Sequence, residues 1–409
     1  MPLKFSSPLA ELNLIAILSL LNFASGYRVP LHAATGRGAF DNIRALVFGL
    51  HISSVAGTGE GDYLSAKGMH SIRAQTVADL MNVSGAVHLE RPHETIPGVT
   101  VGELGGPIWE VVQLITTTLN ETGNVLVDAG YPDLGTFVLE TLKEGERARS
   151  TAGGDTDIEC DIFVERVSCI PLEPLLSVFL YIQADRSSPV SFPPSETWHT
   201  SEISVSGLRP SQSSYQLNRN NCDRRAVRFL AVYCFKKALL TLHAIALRFG
   251  SLEPAPFPIP RTRNLPIFVD NVIPSLLVHL GVIDLTSSSP SLGLSDIFPG
   301  ARHPALLETL LGNASKSAAT DSPAAKARQV PKEGPILSAE QAYALRAAAI
   351  DACELIVQAA HHLGAAGSEL AWMSDMTAPE LDAWLWAVAK DREDYRQLER
   401  FVLRNTTFF

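Results

Sequence analysis

One carboxylate stands alone in a long apolar segment of the chain. Asp270 is the one acid in residues 265–281, where it follows Val269 in an otherwise apolar run. The pattern predicts a helix that begins just after Asp270 and ends at Gly281, so the positive end of the helix dipole would hold the carboxylate ionised. A fixed carboxylate in an apolar wall can stabilise a developing cation. Spacing alone favours the simpler interpretation, in which Asp270 only caps the helix.

Two lysines enter a second apolar segment. Lys236 and Lys237 lie near the start of residues 235–249, which otherwise predict a buried helix. Lysines rarely lie in apolar surroundings unless they are paired, and a phosphate on a ligand would be a suitable partner. Without further observations, the favoured interpretation is that both side chains extend to the surface.

A third candidate pairs an acid with an indole. Asp382 and Trp386 are four residues apart, on one face of a helix predicted to begin at the capping box Thr377-Ala-Pro-Glu380. A carboxylate beside an indole could hydrogen-bond and stack a heterocyclic base. An acid near a helix start with tryptophans in the core explains the same pattern and is favoured on spacing alone.

The elements that must position these residues are mostly helices. Helices are predicted at 107–123, with Gly123 as the C-terminal cap, at 235–249, and after the capping box Ser338-Ala-Glu-Gln341. The apolar run 12–24 predicts a buried helix, because it is too short to span a bilayer. Strand-like alternation is scarce. We therefore expect a mainly α protein with a single helical core.

Two segments are expected to interrupt that core. Residues 187–214 contain ten serines and four prolines, and no helical or strand periodicity survives there. We predict a disordered or aberrant insertion over 145–228. Residues 313–334, rich in Ala, Ser, Lys and Pro, predict a flexible loop. The whole chain, 1–409, is interpreted as a single domain.

Composition excludes several classes of protein. With 33 basic and 43 acidic residues the chain has a formal charge of −10. This argues against a general binder of nucleic acids or membrane surfaces, although it is compatible with a local basic pocket. The five scattered cysteines form no CxxC pair, which argues against a disulfide framework or structural zinc and favours a reducing, cytoplasmic location. No motif indicates a metal or redox cofactor.

Several segments, taken in order, resemble those of a known family. They are Asn120-Glu-Thr-Gly-Asn-Val-Leu-Val127, the helix at Phe235-Lys-Lys-Ala238, Phe268-Val-Asp-Asn-Val-Ile-Pro274, the helix from Arg346 to Ile356, and Leu381-Asp-Ala-Trp-Leu-Trp386. The set is similar to the queuosine salvage proteins, the queuosine 5′-phosphate N-glycosylase/hydrolases. The similar stretches cover just over half of the chain.

This resemblance implies a fold and a reaction. The core would be similar to that of helix-hairpin-helix DNA glycosylases. The reaction would be hydrolysis of the N-glycosidic bond of queuosine 5′-monophosphate, which releases queuine for tRNA modification, with no metal or other cofactor, no direct nucleic-acid contact and no membrane. Asp270 is then the expected catalytic residue. The expected substrate-binding residues are Asp382, Phe268, Asn271, Lys236, Lys237, Trp386 and Phe23.

The resemblance also assigns roles. Lys236 and Lys237 would hold the 5′-phosphate, and Asp382 would stabilise or recognise the base. Three rings are candidates to stack on the base: Phe268, Trp386 and Phe23. The oligomeric state is not indicated.

Three other interpretations are open. Ala24-Ser25-Gly26 replaces an aromatic-rich stretch of the family, and Asn271 replaces a commoner Tyr, which motivates a non-catalytic queuine- or nucleotide-binding protein of the same fold. A DNA-repair glycosylase is disfavoured by the acidic charge. A helical scaffold without a small-molecule site would have no concave pocket near Asp270 and Asp382.

Overall fold

The computed structural model describes residues 4–55, 61–153, 157–168, 203–204, 235–301, 303–312 and 331–407. Within these ranges the chain is mostly helical, as predicted. The helices, numbered in chain order, are α1 (Pro8–Leu20), α2 (Arg28–Thr35), α3 (Ala39–Val55), α4 (Ala66–Ser71), α5 (Ala74–Met81), α6 (Gly106–Asp128), α7 (Leu134–Ala152), α8 (Ile158–Ser168), α9 (Lys236–Phe249), α10 (Val272–His279), α11 (Pro304–Leu311), α12 (Ala339–Ala366), α13 (Ala378–Asp391) and α14 (Glu393–Arg396). Short 3-10 helices lie at Ser25–Tyr27, Ser84–Ala86, Pro290–Leu292 and Ser368–Asp375.

The strands of the described ranges are short and form isolated pairs. They are β1 (His88–Pro92), β2 (Thr100–Leu104), β3 (Ile203–Ser204), β4 (Ile283–Asp284), β5 (Glu333–Ile336) and β6 (Arg400–Val402). Strand β1 pairs with β2 in antiparallel fashion, whereas β3 with β4 and β5 with β6 are parallel. No larger sheet joins these pairs within the described chain.

The apolar run near the start of the chain forms a buried helix, as predicted. Helix α1 begins after Ser7, whose hydroxyl accepts a hydrogen bond from Ala10 N at 3.1 Å. Leu12 and Ile17 of this helix are fully buried. Among the described residues, no single helix is long and apolar enough to cross a bilayer. Pro8–Leu20 and Ser25–Thr35 reach that length only together, and they are bent by 62°.

Helix α6 departs from the prediction at its C-terminal end. Gly123 does not cap the helix, which continues to Asp128. A Cβ atom at position 123 would lie 2.3 Å from His70 N and 2.6 Å from Ala66 O. The glycine is therefore where helix α4 approaches closest to α6, and a close helix contact, not a helix end, explains it.

The buried apolar residues form two clusters instead of the single core that we expected. One cluster is built mainly from α1 to α9, and the other from α10 to β6. They meet along residues 265–269, where Leu265 and Phe268 belong to the first cluster and Ile267 and Val269 to the second. From Ile267 to Val269, successive side chains alternate between the two clusters. Asp270 follows directly at this junction.

The prediction of a disordered insertion over 145–228 is wrong for its first part. Helix α7 continues to Ala152 and α8 follows, with Cys160 and Phe163 fully buried in the core. Serine and proline are concentrated in residues 187–214, so composition alone does not locate the end of the ordered helices before them. Residues 203–204 form β3; the rest of 169–234 lies outside the described residues.

The predicted flexible loop also differs at its end. Residues 333–334 belong to β5, which pairs with β6, so the loop prediction is wrong there. Residues 313–330 lie outside the described part of the chain.

Candidate active site

Most of the site residues predicted from the sequence line one large cleft. Its volume is about 1490 Å³, and seven of the eight expected site residues line it. These are Phe23, Lys236, Phe268, Asp270, Asn271, Asp382 and Trp386. The cleft exceeds the size of a typical small-molecule pocket, roughly 300–1000 Å³. A concave pocket of this kind is the feature that a scaffold without a small-molecule site would lack.

Asp270 has two roles in the same carboxylate. Its Oδ1 accepts a hydrogen bond from Val272 N, the first residue of α10, at 2.6 Å. Asn271, and not Asp270, is the N-cap residue of this helix. Asp270 Oδ2 lies 3.8 Å from Lys236 Nζ. The bond to Val272 fixes the orientation of the carboxylate, while the second oxygen lies at the cleft beside a cation.

Lys236 is buried and not at the surface, so the surface interpretation is wrong for this lysine. Only 5% of its surface is exposed, and its Nζ donates a hydrogen bond to Asn22 O at 3.0 Å. Burial lowers the pKa of Lys236, whereas the negative charge of Asp270 acts in the opposite direction. A buried ammonium of this kind is tolerated because it has an anion and a carbonyl within reach.

Lys237 is oriented differently from Lys236. Its Nζ lies 4.7 Å from the centroid of the Phe23 ring, and Lys237 is not among the residues lining the cleft. Adjacent helical residues point about 100° apart, so the two ammonium groups do not converge. The contact with Phe23 is a cation–π interaction that supports one wall of the cleft.

Asp382 joins helix α13 to the segment that carries Asp270. Its Oδ2 accepts a hydrogen bond from Phe268 N at 2.7 Å. The side chain is buried, and burial, followed by the negative charge of Asp270, raises the pKa of Asp382 to about 7. Asp382 can therefore hold a proton near neutral pH, while Asp270 faces a lysine. Two nearby carboxylates in such different environments are suited to different tasks.

The aromatic residues form two groups in the cleft. The ring of Phe268 lies 5.1 Å from that of His243, centroid to centroid. Trp386 meets Phe40 edge to face at 6.0 Å, and Lys390 Nζ lies 3.5 Å from the centroid of a Trp386 ring. Lys390 covers one face of Trp386, so a planar base could stack on the ring of Phe268 or on the other face of Trp386.

Asn271 has a structural contact as well as its position in the cleft. Its Nδ2 donates a hydrogen bond to Phe401 O at 2.8 Å, and the residue is buried. This bond links the start of α10 to β6. One of the two N–H donors of the amide is thus engaged, which leaves the second N–H and the side-chain oxygen as the groups that could meet a ligand.

Most of the positive charge in the cleft comes from residues that no sequence motif indicates. Eight basic side chains and three carboxylates line it, in a chain whose formal charge is −10. The basic residues are Arg28, Arg37, Arg44, Lys236, Lys332, Lys390, Arg396 and Arg400. They are scattered from residue 28 to residue 400, so no local spacing could have indicated them. The cleft is a local basic pocket, which the acidic net charge of the chain does not exclude.

Within the part of the chain that the structure describes, no group of three or more His, Cys, Asp or Glu side chains could hold a metal ion.

Neither a scan against protein-family models nor a search of the curated proteins finds a match for this chain.

Proposed function

We propose that the protein hydrolyses the N-glycosidic bond of queuosine 5′-monophosphate and releases queuine. One observation carries the proposal: Asp270 and Asp382, far apart in the chain, line the same cleft with Lys236 and the aromatic residues Phe268 and Trp386. This combination meets the needs of a sugar cation and a planar leaving base. The resemblance of the segments to queuosine salvage proteins supplies the identity of the substrate. A core similar to that of helix-hairpin-helix DNA glycosylases is part of the same proposal.

Asp270 acts at the sugar. Cleavage of an N-glycosidic bond develops positive charge at the anomeric carbon, and by analogy with O-glycosidases a carboxylate beside that carbon stabilises the charge or attacks it. The bond to Val272 N holds the Asp270 carboxylate in one orientation before the substrate arrives. Preorganisation of this kind is what makes an electrostatic contribution effective.

Asp382 acts at the departing base. The base gains electrons as the bond breaks, and a proton or a hydrogen-bond donor stabilises it. Because burial and Asp270 raise the pKa of Asp382 to about 7, a protonated Asp382 carboxyl is available to donate at neutral pH. Phe268 and Trp386 would stack against the heterocycle and exclude water from it.

A non-catalytic binding protein of the same fold is a second candidate. The observation that favours it is that both oxygens of Asp270 are already engaged, one by Val272 N and the other by Lys236 at 3.8 Å. A carboxylate that only stabilises the start of a helix and neutralises a buried lysine would make the same two contacts. The cleft would then bind queuine or its nucleotide without cleaving it.

One experiment separates the two candidates. The full-length protein is incubated with queuosine 5′-monophosphate, free queuine is measured by mass spectrometry, and thermal unfolding is recorded with and without the nucleotide. The proposed hydrolase releases queuine in proportion to time and protein concentration. Stabilisation without release would support the binding protein, and neither effect would overturn both candidates.

A further inference from the structure

One part of the cleft contains a cluster of basic side chains that the proposed chemistry does not use. Arg28 and His32 are four residues apart on α2 and therefore share one face of that helix. Arg396 at the end of α14 and Arg400 at the start of β6 line the same cleft. Arg28 Nη2 donates a hydrogen bond to Arg396 O at 2.9 Å, which ties the two elements together.

Three buried polar atoms in this cluster have no hydrogen-bond partner among the described residues. They are Arg28 Nη1, His32 Nδ1 and Ser25 Oγ, and all three residues line the cleft. Buried donors without partners are rare in folded proteins and lose free energy unless a ligand or water satisfies them. Their common location points to a missing acceptor.

The electrostatics of the cluster indicate the charge of that acceptor. Burial, followed by the positive charges of Arg400 and Arg396, lowers the pKa of Arg28 to about 9. Burial also lowers the pKa of His32, with the charges of Arg28 and Arg396 in the same direction. Buried cations that destabilise one another are stabilised when an anion lies between them.

The cluster is electrostatically linked to the catalytic end of the cleft. Burial lowers the pKa of Arg400, while the charge of Asp270 raises it. Arg400 also donates from Nη2 to Ala389 O at 3.0 Å, which fixes its guanidinium against α13. An anion held by Arg400 would therefore be within the electrostatic reach of Asp270.

We propose that Arg28, His32, Arg396 and Arg400, with Ser25, form a binding site for a phosphoryl group, the 5′-phosphate of the substrate. Guanidinium groups match the oxygens of a phosphate with paired donors, and a tetrahedral dianion can accept from several of them at once. The assignment replaces the lysine pair as the phosphate site, because Lys236 is paired with Asp270 and Lys237 contacts Phe23. The proposal rests on the proposed function only for the identity of the nucleotide.

The first test uses inorganic phosphate and requires no turnover. Calorimetric titration compares the wild type with Arg28→Met and with the control Arg166→Met, which removes the same charge from an exposed ion pair with Glu144 outside the cleft. We expect equal phosphate affinity for the wild type and the control, and at least tenfold weaker binding by Arg28→Met. If Arg28→Met does not fold, Arg396→Met takes its place with the same expectation. Absence of phosphate binding by the wild type, or unchanged binding by the folded variant, would overturn the site.

The second test distinguishes the phosphate of a nucleotide from free phosphate. KM is measured for queuosine 5′-monophosphate and for queuosine, the nucleoside without phosphate. We expect Arg28→Met to raise KM at least tenfold for the monophosphate and to leave KM for the nucleoside unchanged. Equal effects on both substrates would overturn the assignment to the 5′-phosphate. Phosphate binding by a protein that cleaves neither compound would contradict the proposed function alone.

Discussion

Lys236 Nζ lies 3.8 Å from Asp270 Oδ2, and the side chains are 5% and 12% exposed. The pair connects α9, which belongs to one core cluster, with the segment at which the two clusters meet. Neither charge would be stable in this location alone, because burial of an unpaired ion is strongly unfavourable. The pair therefore holds a carboxylate at the cleft in a defined position, and stability and site geometry depend on the same contact.

The two neighbouring lysines should differ sharply in their effects. Lys236→Met leaves the Asp270 carboxylate without its cation, so we expect the free energy of unfolding to fall by about 3 kcal/mol. Lys237→Met removes a cation–π contact with Phe23 and should lower it by about 1 kcal/mol or less. Urea denaturation of the two variants checks this. Equal losses in the free energy of unfolding would contradict a stabilising contribution of the Lys236–Asp270 pair.

The raised pKa of Asp382 predicts a pH dependence of stability. Between pH 4 and 7 the folded protein retains a proton on Asp382 that the unfolded chain has lost, since the pKa rises from 3.8 to about 7 on folding. Unfolding then releases a proton, so this carboxyl lowers the free energy of unfolding as pH increases through that window. At pH 4 and below, its protonation does not distinguish the two states.

Asp382→Asn isolates this contribution. The amide oxygen can still accept from Phe268 N, but the group no longer titrates. We expect the stability of the variant relative to wild type to increase between pH 4 and pH 7 by on the order of 4 kcal/mol. The measurement is urea denaturation at several pH values. Parallel curves for the two proteins would contradict the pKa assigned to Asp382.

Two tryptophans of one helix provide a matched pair for base binding. Trp386 lines the cleft against Phe40, whereas Trp384 is 61% exposed and does not line it. Trp386→Leu removes an aromatic face worth roughly 1–3 kcal/mol per stacked base, so queuine should bind about tenfold more weakly or worse. Trp384→Leu should bind as the wild type does. Equilibrium dialysis measures the affinity of both variants for queuine. Equal affinities would contradict a role of Trp386 in binding the base.

Gly123 predicts a large loss of stability on a minimal substitution. A Cβ atom added there meets backbone atoms of His70 and Ala66 at 2.3 and 2.6 Å, so α4 and α6 must separate. We expect Gly123→Ala to lower the free energy of unfolding by about 3 kcal/mol, as overpacking does in other cores. Gly85→Ala, where no atom lies within 4 Å of the added methyl group, is the control. A shift in Tm that is equal for both variants would contradict the close contact.

Local patterns predicted the helix starts well. Both capping boxes are present with reciprocal hydrogen bonds, at Ser338 with Gln341 and at Thr377 with Glu380. A capping box depends only on four consecutive residues, so it can be recognised from the local sequence. The position of α10 near Asp270 also follows from the local pattern, although Asn271 is the N-cap residue and its side chain makes no capping bond.

Contacts between distant segments were not predictable in this way. Gly123 looked like a helix end because the approach of α4, some fifty residues earlier, is invisible in the local sequence. The spacing of Lys236 and Lys237 suggested one shared role, whereas their directions on α9 separate them. Arg28 and Arg400 come from opposite ends of the chain, and only the folded structure brings them to one cleft.

The release of queuine by the wild type and by Asp270→Asn tests the central proposal most directly. The asparagine keeps an oxygen that can accept from Val272 N. Because the variant leaves Lys236 without its anion, we expect a loss of stability of about 3 kcal/mol, so the assay is run at a temperature at which circular dichroism shows the variant to be folded. The substitution removes the negative charge that, on the proposed mechanism, stabilises the sugar cation. The account predicts queuine release from queuosine 5′-monophosphate by the wild type and none by Asp270→Asn. Wild-type turnover in a folded Asp270→Asn variant, or no release by the wild type, would contradict it.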